Sequence, residues 1–262
     1  MKTLKHLLTA LLLMVATVAK AHDFEVGGIY YSILYGEEKT VEVTCRGNFS
    51  NSYSNEYTGS VDIPSMVTYN DLTYSVTSVG ACAFDGCKEL TSVTIPNSVT
   101  SIVGEALYGC SGLEEVHISD LASWCNIVFN DYVSNPLYYA HNLYLNGELV
   151  TELVIPDGVS EIKDNAFRNC SGLTSITIPN SVASIGYKAF YGTAWYNNLS
   201  DGVVYAGKVL YTYKGTMPEN TNISIKEGTL GIAGYAFDGC SGLTSITIPN
   251  SVTRIGDGAS VE

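Results

Sequence analysis

The sequence predicts a repeat solenoid, a right-handed coil with a parallel β-sheet on one face and irregular or short helical segments on the other. Residues 170–182 and 240–252 are identical, and residues 87–99 differ from them at three positions. Apolar triplets recur and end in Ile at seven positions, spaced by 32, 23, 37, 23, 47 and 23 residues. Sequences with a period of about 20 to 29 residues and such triplets form stacked coils. The seven positions are Ile63, Ile95, Ile118, Ile155, Ile178, Ile225 and Ile248.

The repeat unit indicates how each coil is built. Around Thr177, the flanking Ile176 and Ile178 point to one side and Thr177 to the other, which is the alternation of a half-buried strand. Pro179 cannot donate a ladder hydrogen bond and therefore ends the strand. Gly186 permits a sharp corner before the Ala-Phe pair of a short convex segment. Seven such strands at about 4.8 Å spacing predict one sheet roughly 30 Å tall.

Two long insertions interrupt the 23-residue unit. Residues 121–150 carry Trp124 and the pair Asn146-Gly147 between apolar runs, which is a strong hairpin signal. Residues 194–222 contain two Tyr-bearing apolar segments and predict a second hairpin. We expect both inserts to project from an edge or from the convex side, where their aromatic side chains pack on themselves or form contact surfaces.

The two ends of the array differ from its middle. Residues 22–60 contain two predicted strands, 29–35 and 40–45, which form an N-terminal β-hairpin cap over the apolar end of the first coil. Residues 61–255 are the solenoid of about seven coils, and residues 256–262 begin an incomplete further coil. An uncapped coil predicts either a truncated reading frame or end-to-end self-association through its apolar face.

Residues 1–21 are predicted to be a secretory signal peptide that is cleaved after Ala21. A basic start precedes an apolar run that is too short to span a bilayer, and small residues three apart follow it. Without Lys2, Lys5 and Lys20, 10 basic residues remain against 26 acidic ones, a net charge near −16. Nucleic acid and anionic membranes repel such a charge, and no second apolar run is long enough for a transmembrane segment. The mature chain is therefore expected to be secreted or displayed at the cell surface, without a nucleic-acid partner.

Seven Cys residues are an odd number, so at least one is unpaired within the monomer. Four of them, Cys87, Cys110, Cys170 and Cys240, occupy one position of the repeat, which favours small apolar core residues. Cys87 and Cys110 would lie about 5 Å apart in adjacent coils, so a disulfide between them is an alternative to stacked thiols. The Cys and His spacings fit no metal site, and no cofactor is predicted.

The sequence holds no constellation of catalytic residues. His117 lies on a predicted strand and faces outward, but no Ser and acid are held against it in a triad, and no G-x-S-x-G elbow occurs. The acidic residues are scattered, and no Gly-rich phosphate loop occurs. We therefore expect that the protein is not an enzyme. A hydrolase that uses His117 is a remote alternative.

The motif G-x-x-A-F-x-x-C-S-G-L-T-S-I-T-I-P-N-S-V resembles the BspA-type leucine-rich repeat of bacterial surface proteins. Residues 166–182 and 236–252 carry it, and residues 83–99 carry it less perfectly. The resemblance covers roughly residues 60–259. It implies a leucine-rich-repeat solenoid, export to the bacterial surface and, in some members, adhesion to host matrix proteins. No binding residue of the family maps onto a position of this sequence.

These features favour an adhesin-like interaction protein that binds host protein or glycan through the sheet face and the aromatic inserts. Outward strand positions predict a flat, nearly uncharged ladder, to which the inserts add aromatic surface. The candidate ligand-face residues are Thr94, His117, Thr177, Thr247, Trp124, Tyr144 and Trp195. Alternatively, Thr is simply favourable at exposed strand positions, and the chain is a structural spacer or a fragment of a larger repeat surface protein.

Overall fold

The computed structural model describes residues 22–36, 38–47 and 55–259. The predicted signal peptide and the last three residues of the predicted incomplete coil lie outside these ranges.

The described residues form a β-solenoid whose strands are two to eight residues long and whose helices are four or five residues long. The elements, in chain order, are β1 (Phe24–Val26), β2 (Ile29–Leu34), β3 (Thr40–Thr44), β4 (Gly59–Asp62), β5 (Met66–Tyr69), β6 (Leu72–Val79), β7 (Leu90–Thr94), β8 (Ser101–Ile102), β9 (Glu115–Ile118), α1 (Leu121–Cys125), β10 (Val128–Phe129), α2 (Leu137–Ala140), β11 (Leu143–Leu145), β12 (Glu148–Leu149), β13 (Glu152–Val154), β14 (Glu161–Ile162), β15 (Ser175–Thr177), β16 (Ser184–Ile185), α3 (Ala194–Asn197), β17 (Gly202–Ala206), β18 (Val209–Lys214), β19 (Thr221–Ser224), β20 (Gly231–Ile232), β21 (Leu243–Thr247) and β22 (Arg254–Ile255).

All seven strands that the L-x-x-I-x-I segments predict are present, as β4, β7, β9, β13, β15, β19 and β21. Neighbouring strands pair in parallel, with Val93 opposite Val116 and Ile223 opposite Ile246. The prediction of one continuous sheet is wrong. The strands form three sheets, β12–β11–β9–β7–β4, β13–β15 and β19–β21, because chain from the two inserts separates them.

A second line of parallel strands comes from the V-x-x-I segments, which the sequence pattern predicts only to point inward. These strands are two residues long and place an Ile in the core, as Ile102, Ile162 and Ile185 do; in the last of them, β22, Ile255 is exposed. Within a sheet, backbone hydrogen bonds therefore join neighbouring coils on both sides of the apolar interior, and the second line is likewise divided, into β6–β8–β10, β14–β16 and β18–β20–β22.

The N-terminal strands continue this second line. β1, β2 and β3 form an antiparallel ribbon, and β3 pairs in parallel with β6. The inner side chains of the ribbon, Phe24, Tyr31 and Val43, are buried in the same hydrophobic cluster as the first coils.

The A-F-x-x-C segments, with Thr193 at the Cys position in one coil, supply the aromatic and thiol filling of the interior. Phe84, Phe167, Phe190 and Phe237 are fully buried, and the rings of Phe167 and Phe190 stack with centroids 5.5 Å apart. All seven Cys residues lie within the described ranges and are free thiols. Stacked coils thus bury what a single coil could not.

Residues 121–150 form a coil of their own, so the expectation that they project from the solenoid is wrong. β10 pairs in parallel with β8, and β11 pairs in parallel with β9. Trp124 is buried, and its Nε1 donates to the carbonyl of Ala166 at 2.9 Å. The predicted hairpin turn joins β11 to β12, with φ of +52° at Asn146 and +85° at Gly147.

The second predicted hairpin is present as the antiparallel pair β17–β18. It lies between coils and not outside them, because β18 also pairs in parallel with β20. A Cβ on Gly207, in the hairpin turn, would come within 2.8 Å of the Cβ of Ile178. The hairpin divides the described core into two hydrophobic clusters, with Tyr211 in the first and Leu210 in the second.

The last described coil leaves apolar side chains in contact with solvent. Ile248 is 42% exposed and Ile255 is 59% exposed. End-to-end self-association through this face stays a prediction.

Candidate binding surfaces

One candidate surface is a row of outward side chains on four adjacent strands, which we name the sheet-face ladder: Asp62, Thr94, His117 and Tyr144. Asp62 on β4 lies opposite Thr94 on β7, Thr94 opposite His117 on β9, and His117 opposite Tyr144 on β11. Parallel pairing in this register brings equivalent side chains to about 4.8 Å spacing. The ladder is therefore a continuous surface and not a set of separate positions.

Contacts between neighbours fix the side chains of the ladder. The hydroxyl of Thr94 donates to Oδ1 of Asp62 at 2.5 Å, and Nε2 of His117 lies 2.9 Å from Oε2 of Glu115. The rings of His117 and Tyr144 stack with centroids 4.7 Å apart. All of these residues keep at least part of their side chains exposed, so the ladder presents polar atoms and a ring pair to solvent in defined positions.

The structure brings together only three of the seven predicted ligand-face residues: Thr94, His117 and Tyr144. Thr177 and Thr247 are exposed, but they lie on β15 and β21 in two other sheets.

The two Trp residues are not on the sheet face. Trp124 is 1% exposed, so its prediction as a ligand-face residue is wrong, because the first insert is part of the core. Trp195 is half-buried on α3, where its ring packs edge-on against Phe190 with centroids 5.5 Å apart.

A second candidate surface is a cavity of about 150 Å³, which we name the tyrosine groove. Three consecutive parts of the chain line it: the turn after β16, the second insert with α3 and β18, and the turn after β20. Its side chains are mostly Tyr, with one cation, one carboxylate and one hydroxyl besides. They are Tyr187, Lys188, Tyr191, Tyr196, Tyr211, Thr212, Tyr213, Tyr235 and Asp238.

Ring contacts order the groove. The rings of Tyr187 and Tyr235 lie 4.8 Å apart, and those of Tyr191 and Tyr196 lie 5.6 Å apart. At the base, the hydroxyl of Tyr211 accepts a hydrogen bond from the backbone N–H of Phe190 at 2.9 Å. Burial raises the pKa of Tyr211 above its ordinary value, so this hydroxyl stays protonated at physiological pH.

Charged groups of the groove lie against the rings. Lys188 Nζ is 4.6 Å from the centroid of Tyr187 and 5.4 Å from that of Tyr191. Lys188 and Tyr235 occupy the same repeat position, directly before the buried Ala, with φ of +52° and +53°. Other coils have the same left-handed backbone at this position, so the fold imposes the conformation. In the coils of Lys188 and Tyr235, this conformation turns a long side chain towards the groove.

Comparison with known proteins decides the family. The model of the BspA-type leucine-rich repeat region matches residues 49–135 and 140–259, in six copies. The chain belongs to the BspA-type leucine-rich-repeat family. Proteins of this family are surface or secreted bacterial proteins. Among the described residues, no helix is both long and apolar enough to cross a membrane.

Several solved leucine-rich-repeat structures are similar to this BspA-type chain. A leucine-rich cell-surface protein of Faecalibacterium prausnitzii has 24% identity and a TM-score of 0.44, over 90% of this chain and 73% of the other. A leucine-rich-repeat protein of Bacteroides ovatus has 23% identity and a TM-score of 0.41, over 90% and 79%. A leucine-rich-repeat protein of T. pallidum has 20% identity and a TM-score of 0.39, over 89% and 86%. No curated protein matches the chain significantly.

Sequence reasoning missed the tyrosine groove of this BspA-type solenoid. One signal was available: Tyr187, Tyr211 and Tyr235 are spaced by 24 residues, close to the repeat period. The signal was hidden because Tyr211 belongs to an insert, for which the repeat gives no position.

Proposed function

We propose that the chain is an exported, non-enzymatic interaction protein that binds a host protein or glycan at the bacterial surface, in the manner of an adhesin. The sheet-face ladder is the observation that carries this proposal. It is a polar surface with an aromatic pair, built on strands whose side chains are held by their neighbours. Membership of a family of surface or secreted proteins supports the same role.

The shape of the ladder favours a protein over a glycan as its ligand. The ladder runs across four strands of one sheet, and its side chains stand side by side along an open face. Flat surfaces of this kind fit protein partners, whose interfaces combine aromatic anchors with a polar rim. A rigid ladder also binds at a low entropic cost, because its side chains lose little freedom on contact.

Binding assays on the mature chain test this proposal. Residues 22–262 would be screened by surface plasmon resonance against immobilised host extracellular-matrix proteins and on a glycan array. We expect a matrix protein to bind, and His117→Ala and Tyr144→Ala to weaken that binding at least about tenfold, as loss of anchoring side chains does.

Thr247→Ala is the matched control, because Thr247 faces outward on a different sheet. Its affinity should equal that of the unsubstituted chain. A folded mature chain that binds no host protein or glycan would overturn the proposal. Equal losses from Thr247→Ala and His117→Ala would move the binding site away from the ladder.

A further inference from the structure

We propose that the tyrosine groove is a second binding site, and that its ligand is one sugar unit of a neutral saccharide. This inference does not depend on the ladder, because the two surfaces share no residue. The inference rests on three properties of the groove: its exposed ring faces, its charged groups and its size.

The rings provide stacking surfaces for a pyranose. Tyr191 is 43% exposed and Tyr235 is 47% exposed, so both present ring area to a ligand at the mouth of the groove. The face of an aromatic ring carries partial negative charge. The C–H groups on one face of a pyranose carry partial positive charge and therefore pack on such a ring.

The position of Lys188 excludes a cationic ligand. Aromatic cages bind quaternary ammonium groups through the negative faces of their rings. Here the ammonium of Lys188 already lies over Tyr187 and Tyr191, at 4.6 and 5.4 Å from their centroids. A second cation would be repelled by the first, so the groove is not a cage for trimethylated amines.

The net charge of the chain disfavours an anionic ligand. Asp238 and Lys188 line the groove, Arg168 and Lys214 lie 5.5 and 5.3 Å from the ring centroids of Tyr191 and Tyr196, and the whole chain carries a net charge of −13. A negatively charged polysaccharide would approach a protein of the same sign. A neutral ligand with hydroxyl groups matches the lining, because Lys188 donates, Asp238 accepts and Thr212 does both.

A proline-rich peptide is the other ligand that aromatic grooves take. Proline has no backbone N–H, so such a peptide offers mainly carbonyl acceptors. Those carbonyls could pair with Lys188 but offer no donor to the exposed carboxylate of Asp238, which would stay bound to water. The hydroxyls of a sugar serve both groups, and the lining therefore favours the saccharide.

The size of the groove limits how much of the ligand it holds. A volume of about 150 Å³ is below the roughly 300 to 1,000 Å³ of pockets that enclose drug-sized ligands. The groove therefore takes one unit of a saccharide chain and leaves the rest in solvent.

A glycan array is the first test, with the purified mature chain as the probe. The array would carry neutral oligosaccharides of glucose, galactose, mannose and N-acetylglucosamine, together with sialylated and sulfated glycans. We expect binding to neutral glycans. Isothermal titration of the best neutral oligosaccharide then gives the affinity, and a proline-rich peptide is titrated in parallel.

Two substitutions in the groove provide the decisive comparison. Tyr191→Ala and Tyr235→Ala should each weaken the titrated affinity at least about tenfold, because each removes a stacking ring. Both side chains are more than two-fifths exposed, so the coil should keep its fold. A far-ultraviolet circular dichroism melt would check this.

Tyr108→Ala is the matched control. Tyr108 stands in Leu107-Tyr108-Gly109 where Tyr191 stands in Phe190-Tyr191-Gly192, and it is 55% exposed, but it does not line the groove. The affinity of Tyr108→Ala for the neutral oligosaccharide should be unchanged.

Three results would overturn the proposal. They are no binding to any neutral glycan, binding that survives both Tyr191→Ala and Tyr235→Ala, and tighter binding of the proline-rich peptide than of any glycan. If only the ladder proposal were wrong, the result would differ: Tyr191→Ala and Tyr235→Ala would still weaken glycan binding.

Discussion

At the scale of single residues, Tyr211 connects the second insert to the coil before it. Its side chain is buried, and its hydroxyl accepts the hydrogen bond of the Phe190 N–H, which has no strand partner. Tyr211→Phe keeps the ring but leaves this buried N–H without an acceptor. We expect the free energy of unfolding to fall by about 1 to 3 kcal/mol, as measured by urea denaturation.

Tyr35→Phe is the control for Tyr211→Phe, because it removes the same hydroxyl from a side chain that is 94% exposed. Its stability should stay within about 0.5 kcal/mol of the unsubstituted chain. Equal stabilities of the two variants would show that the Phe190 N–H finds another acceptor.

At the scale of elements, α1 anchors the first insert in the interior through Trp124. The indole is 1% exposed, packs edge-on against Phe129 with centroids 5.5 Å apart, and donates to the carbonyl of Ala166. Trp124→Ala would open a large cavity and remove the shorter of the two hydrogen bonds to that carbonyl, leaving only Asn135 Nδ2 at 3.3 Å. We expect a loss of about 3 to 5 kcal/mol in urea unfolding.

Trp195→Ala is the comparison for Trp124→Ala, since Trp195 is only half-buried on α3. It removes the same side chain and should cost clearly less. A small loss for Trp124→Ala, equal to that for Trp195→Ala, would mean that the first insert folds apart from the core.

The elements that the sequence predicts well are those with a repeated pattern. The triplets with apolar first and last residues, each ending in Ile, located all seven strands of the L-x-x-I-x-I segments, because burial of alternate side chains leaves a period of two in the sequence. The turn at Asn146-Gly147 was also predictable, since few residue pairs adopt positive φ at two successive positions.

The elements that the sequence misses leave no period. β8, β10, β14, β16, β20 and β22 are two residues long, too short for an alternation to be recognised. The first insert lacks the repeat motif but still occupies both strand lines, so its position depends on pairing partners that are distant in sequence. The same holds for the tyrosine groove, whose side chains come from two coils and an insert.

At the scale of the whole molecule, the stack of coils buries several ionisable thiol and phenol groups in its interior. Burial raises the pKa of Cys110 and Cys125 to about 12 and that of Cys170 to about 11, from an ordinary value of 9.0. It also raises the pKa of Tyr31 to about 12. These groups ionise in the unfolded chain at a pH where the folded chain keeps them neutral.

The consequence is a loss of stability at alkaline pH. Above pH 9 the folded state binds more protons than the unfolded state, so the free energy of unfolding falls as pH rises. The stabilisation is complete below pH 9 and is lost as the pH approaches the folded values of about 11 to 12. Each shifted thiol should contribute up to about 1.4 kcal/mol per pH unit in this window.

Urea unfolding at pH 7.0, 9.0 and 10.5, under reducing conditions, measures this slope. We expect a small decrease from pH 7.0 to pH 9.0, where half of each thiol is ionised in the unfolded chain, and a much larger decrease at pH 10.5. A variant with both Cys110→Ala and Cys125→Ala should be less stable at pH 7.0, because it loses core volume, but its stability should fall less between pH 9.0 and 10.5. If the variant and the unsubstituted chain lost the same stability between pH 9.0 and 10.5, the thiols of Cys110 and Cys125 would not be the cause of the alkaline loss.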